Sequence, residues 1–141
     1  EEVVFEAVIH DKLDATPVET RSRAKAYFIK KDQKDVIEKL ILLGLKLDSV
    51  KNQKNYNLEQ YVITDYLKEK MKYEGVYMQK VKSKTEKVNL NIDDDWLILD
   101  MNQRKSNLAI EVLEPEAPNS FVSYSIIPTF KGDVLSIYRL N

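Results

Sequence analysis

Cysteine is missing altogether from these 141 residues. Its absence excludes disulfides, thiolate metal sites and cysteine nucleophiles, and leaves the compartment open. Histidine occurs once, as His10 in the stretch IHDKL. A zinc peptidase needs two or three protein ligands, usually histidines with a carboxylate. His10 has no second histidine, and Leu13 stands where a His-x-x-Glu motif needs its glutamate. Three scattered glycines cannot build a phosphate cradle, and no Gly-x-Ser-x-Gly elbow presents a serine. The apolar run Leu40–Leu43 is far short of the roughly 20 residues a membrane helix requires. Neither sign of charge dominates: the net charge of -1 gives no pull towards nucleic acid or anionic membrane.

What is present is the material of an ordinary folded domain. Hydrophobic residues make up 43% and charged residues 32%, and 141 residues can bury one substantial core without covalent staples. The chain opens Glu-Glu-Val without an initiator Met and reads as a segment of something longer. Residues 1–20 read as an N-terminal strand, arm or linker from an upstream domain, and residues 21–141 as the domain proper.

Val3, Phe5, Ala7 and Ile9 alternate and suggest a strand in the arm. After Thr16-Pro17, Ala24–Ile29 (AKAYFI) reads as a short strand. Asp32 then stands as an N-cap, with Asp35 adding charge that suits a helix N-terminus. Val36, Ile37, Leu40 and Ile41 recur at helical spacing, and Gly44 sits where a C-cap glycine belongs. Leu45, Leu47 and Val50 continue as a strand, completing a βαβ unit whose crossover is right-handed if its strands pair directly. Beyond it Tyr56–Leu67, Val76–Val81, Val88–Ile92, Trp96–Leu99 and the alternating Leu108, Ile110 and Val112 all read as strands. Phe121–Ile127 suits a strand or a helix capped by Asn119 or Ser120. The expected fold is therefore α+β, a β-rich domain with a mixed or antiparallel sheet and one main helix over about 32–43. The expected core holds Phe28, Val36, Ile37, Leu40, Ile41, Leu47, Val62, Leu97, Leu99, Ile110 and Val112.

Four constellations carry chemistry at first sight. Asp93, Asp94 and Asp95 lack the alternating ligands, glycine and distant glutamate of a calcium loop, so a solvated hairpin turn explains them better. Between Lys68 and Lys87 lie seven lysines and three glutamates, a local +4 that fits a guarded sheet edge. Tyr73 and Tyr77 could stack on bases there, but arginine, the better phosphate reader, is absent from the stretch. Eight tyrosines and Trp96 raise glycan stacking, although Trp96 heads an apolar strand where burial is the common fate. Glu114 and Glu116 share one side of an extended segment and resemble an acid pair. Pro115 and Pro118 fix that segment, so a rigid corner whose carboxylates accept hydrogen bonds is the more economical role. Ser120 reads as a capping or turn serine.

The order of these features resembles the region beyond the catalytic domain of bacterial zinc carboxypeptidase-like proteins. LEPEAPNSF (Leu113–Phe121) is similar to a pattern of Leu-Glu-Pro-Glu, a small residue, Pro, Asp or Asn, Ser and a hydrophobic residue. AKAYFIKKDQKDVIEKLILLGLKLDSV, YNLEQYVIT and LILDMNQRKSNLAIEVLEPE, with its Asn102-Gln103 pair, match in order and spacing, so the likeness runs from about Arg21 to Phe121. This chain departs from it at Asp93–Asp95 and at Tyr124, Ile126 and Ile127. The resemblance implies a non-catalytic accessory domain that packs on, or shapes access to, an upstream peptidase domain of the same polypeptide. It implies a periplasmic or extracellular setting, no cofactor in this segment, and no catalytic or metal residue. Glu114, Pro115, Glu116, Pro118, Asn119, Ser120 and Phe121 then form a docking corner. The rival expectation is an independent module that binds glycan or peptidoglycan, or a peptide, on exposed aromatics.

Overall fold

The computed structural model describes residue 17 and residues 19–141. The strand expected at Val3–Ile9 and the lone His10 lie outside the described residues.

Among the described residues six strands and two short helices follow in order: β1 (Ala26–Lys30), α1 (Lys34–Leu42), β2 (Asp48–Ser49), β3 (Lys54–Tyr73), β4 (Val76–Ile92), β5 (Trp96–Asp100), α2 (Ser106–Leu113) and β6 (Val134–Leu140). They form one sheet in the order β2-β5-β1-β6-β3-β4, with every pairing antiparallel. This overturns the α+β expectation: the described residues form a β-rich fold built on an antiparallel sheet, with no single main helix among them. The helix expected at 32–43 is the nine-residue α1, and a second helix of eight residues exists at α2. The expected βαβ unit is split, because β5 lies between β1 and β2 and pairs with both.

α1 ends as its glycine dictates. Gly44 has φ +80, and the bonds Gly44 N–H to Ile41 O (2.8 Å) and Leu45 N–H to Leu40 O (3.0 Å) close a Schellman motif. Lys105 adds its ammonium to the Leu43 carbonyl at 2.9 Å. The start differs from expectation: Gln33 occupies the N-cap without a side-chain bond, and Asp32 Oδ1 accepts instead from the Gln33 side chain. α1 buries Val36 and Leu40 with Ile37 and Leu43 beside them, while Ile41, expected in the core, is 58% exposed. Ile41 lies one residue, about 100°, past that stripe.

The segment read as a strand through Leu108, Ile110 and Val112 is α2. It buries Ser106, Ala109, Val112 and Leu113, which recur every three to four residues. Phe121–Ile127, open between strand and helix, is neither; it runs as successive turns with Ser125 at φ 58.

The sheet cannot be flat. β4 and β5 are four strand spacings apart, about 19 Å, yet only Asp93–Asp95 separate Ile92 from Trp96. Four residue steps reach at most about 14 Å, so the sheet curls until its far strands approach. The three aspartates do make a turn, with Asp95 N–H on Asp93 Oδ1 at 3.0 Å, but it joins non-neighbouring strands rather than a hairpin. Curling divides the core in two. One cluster packs Tyr27, Ile29, Tyr61, Leu99 and Ile137 beneath Val36, Leu40, Ala109 and Leu113 of the helices. A smaller one gathers Ala26, Phe28, Leu58, Ile92 and Trp96 on the other face. Of the remaining expected core residues Phe28, Leu99 and Val112 are buried, whereas Leu47, Val62, Leu97 and Ile110 are half-buried.

Candidate functional site

The corner after α2 is built by its prolines and serines. Pro115 cannot continue the helix and biases the residue before it to extended backbone; Glu114 has φ -74 and ψ 122. Tight turns follow, with Ala117 N–H on Glu114 O (3.1 Å) and Ser120 N–H on Ala117 O (3.0 Å), before Phe121 N–H returns to Val112 O (2.8 Å). Ser120 is buried; its hydroxyl donates to Pro115 O (3.0 Å) and accepts from Ser123 N–H (3.0 Å), the capping role its sequence context indicates. Phe121 enters the core, and Asn119 bonds Glu111 at 2.9 Å. Of the seven corner residues only Pro118 and Asn119 are exposed.

Glu114 and Glu116 turn inward, onto partners far away in sequence. Arg21 Nη1 and Nη2 donate to Glu116 Oε2 (2.6 Å) and Oε1 (2.9 Å), a two-pronged clamp. Ser83 gives the same carboxylate its N–H and its hydroxyl, both at 2.7 Å. Tyr27 and Tyr61 donate their phenols to Glu114 Oε1 at 2.7 and 2.8 Å. Arg139, 1% exposed, lies between two carboxylates: its Nη1 is 3.6 Å from Glu114 and its Nε 3.5 Å from Glu59. Its Nη2 donates to the Ser22 carbonyl. β1, β3, β4, β6 and the segment at Arg21–Ser22 therefore converge on one corner.

The electrostatics follow from this wiring. Burial raises the Glu116 pKa, but the Arg21 clamp and the Ser83 bonds outweigh it and hold the carboxyl below its ordinary value. Burial, then the charge of Glu114, pushes both the Tyr27 and Tyr61 phenols far up, so both stay neutral donors. Arg21 is held still more firmly charged by its bond to Glu116, against the opposing effect of burial. An acid and a base with divergent proton affinities, aimed at one open space, would be needed for catalysis. Here both carboxylates are already occupied by internal donors.

The other candidates separate. Trp96 is 5% exposed, edge-on to Tyr138, with Lys30 over its ring, and offers no face to a sugar. Tyr77 carries Lys68 and Lys72 over its ring. Gln103 bonds both the N–H and the carbonyl of Lys46 (2.9 and 3.2 Å), pinning the link from α1 to β2. Among the described residues no group of three or more His, Asp or Glu is arranged to hold a metal, and no helix is long and apolar enough to cross a membrane. Sequence reasoning found the corner but missed Arg21, Tyr27, Tyr61, Ser83 and Arg139. Their separations from it of 25 to 95 residues leave no local signal, except that Arg139 breaks an apolar alternation in β6.

The comparisons with known proteins find fungal carboxypeptidases. The chain is 34% identical to carboxypeptidase 2 of Trichophyton rubrum over 127 residues, which is 90% of this chain and 24% of that protein. Carboxypeptidase 2 of Trichophyton equinum is 33% identical over the same length. The probable carboxypeptidase 2 of Arthroderma benhamiae is 30% identical over 107 residues, 74% of this chain and 20% of that protein. The chain is similar to a segment of carboxypeptidase 2. It spans about a quarter of the length of these relatives. They are fungal, which corrects the bacterial setting implied by the sequence resemblance. No family model matches the chain, and no solved structure matches it.

Proposed function

We propose that this chain is a non-catalytic accessory domain of a zinc carboxypeptidase-like protein, packing on the upstream peptidase domain and shaping access to its cleft. The observation that carries this reading is the saturation of Glu114 and Glu116 by internal donors, which gives the strongest acid pair in the chain a structural role. The similarity to only a quarter of each carboxypeptidase supports the same division of labour, with zinc ligands and catalytic groups in the remainder. The corner would dock through Pro118 and Asn119, its exposed residues, held rigid from beneath. An extracellular setting belongs to the proposal. To test it, this chain and the rest of its parent protein are produced separately and mixed. Association with a raised melting temperature of the peptidase part is expected; no association and no change in melting or activity contradicts the reading.

A further inference from the structure

Resting on that reading, we propose where the partner seats: on the distal end of the β3–β4 hairpin, through Met71 and its neighbouring lysines, against an acidic face of the peptidase part of the same polypeptide. The strands are joined there by Glu74-Gly75 between the paired Tyr73 and Val76, with φ 49 and 83, as a two-residue type I′ turn requires. Just before the turn the register breaks. From the Lys68–Gln79 pair to the Lys72–Tyr77 pair, β3 advances four residues while β4 advances two. The surplus residues form a bulge, which bends the strand and re-aims its side chains. Met71 lies in this bulge, 82% exposed, between the exposed Lys70 and Lys72, and Tyr73 is exposed beside it. A bulge in water has no use for a thioether; Met suits an irregular apolar recess on another surface.

Charge sets what surrounds that recess. From Lys68 to Lys82 there are five lysines and two glutamates, a local +3 on a chain whose net charge is -1. Lys80 is paired with Glu69 at 2.6 Å. Lys68 and Lys72 both hold their ammonium groups over the Tyr77 ring, 5.2 and 5.4 Å from its centroid. Two like charges on one ring repel each other, and a carboxylate beside them offsets that cost. An apolar centre at Met71 with a charged rim is the anatomy of a protein interface. The alternatives fit less well. Tyr77 already carries two ammonium groups and has no free face for a base, and Glu74 at the apex would meet anionic lipid first.

Carbodiimide coupling of the full-length parent tests this, because it joins a lysine amine to a touching carboxylate as an amide, the water lost being taken up by the carbodiimide. Peptide mass spectrometry locates the links. The Lys80–Glu69 pair couples within the chain and serves as the internal standard. Links from Lys68, Lys70 or Lys72 to aspartate or glutamate of the peptidase part, within one molecule, are expected. Met71→Glu is expected to reduce them about tenfold, from the lost apolar contact and the added like charge. Lys51→Gln, an equal change of charge at an exposed position before the other end of β3, should leave them unchanged. Links confined to this chain's own glutamates overturn the proposal, and so do links between two molecules, since the occupant is then a second copy. If the parent unfolds in one cooperative transition but forms no such links, the hairpin surface falls and the accessory reading stands. If it unfolds in two independent transitions and forms none, both fall.

Discussion

At the scale of single residues, the corner is held by charge-assisted hydrogen bonds whose removal leaves groups stranded. Glu116→Gln keeps the shape but takes the counter-charge from Arg21. A loss of about 2–3 kcal/mol in urea unfolding is expected, from the worth of hydrogen bonds to charged groups. Tyr61→Phe removes one of the two phenols on Glu114 and should cost about 1–2 kcal/mol in the same measurement. Their pH dependences differ in sign. Glu116 has a folded-state pKa below its ordinary 4.5, so its contribution is present above that value and fades as pH falls through the lower one. Tyr27 and Tyr61 are raised from 10.0, so theirs is present below pH 10 and is lost as pH rises beyond it. Melting temperature recorded from pH 2 to 7 should therefore fall on the acid side, and less steeply for Glu116→Gln. Equal slopes for the two proteins would remove Glu116 from the explanation.

At the scale of elements, what was legible was whatever is coded locally. The Gly44 stop, the Pro115 break and the turn at Asp93–Asp95 all rest on one or two residues with special backbone needs. α2 was misread because Leu108, Ile110 and Val112 alternate like a strand, while its buried stripe includes Ser106 and Ala109, too small or polar to announce a core. The partners of the corner were illegible for a different reason: contacts between residues 21 and 116, or 27 and 114, exist only once the sheet has formed. Gly44→Ala should cost about 1–2 kcal/mol through left-handed backbone strain. Its new Cβ would also meet the Lys105 ammonium at 2.5 Å, a flexible end that can move aside. Leu113→Ala, at the buried end of α2, should cost about 3 kcal/mol. Circular dichroism melts compare the two, and a near-neutral Leu113→Ala would contradict the helix packing described above.

At the scale of the whole molecule, curling and edge covering explain why a fold with so long a hairpin stays together. β6 meets β3 only between Glu59 and Val62, so the distal half of the β3–β4 hairpin leans on the 120–130 turns instead. Beyond that support it carries exposed apolar side chains, Met71 at 82% and Tyr73. Under the proposal of an accessory domain, these exposed apolar side chains are where the rest of the protein would pack. Differential scanning calorimetry of the full-length parent against its two separated parts tests that claim most directly. One cooperative transition, above the melting temperature of either part alone, is the expected result. Two transitions, each at the temperature of the isolated part, would contradict it.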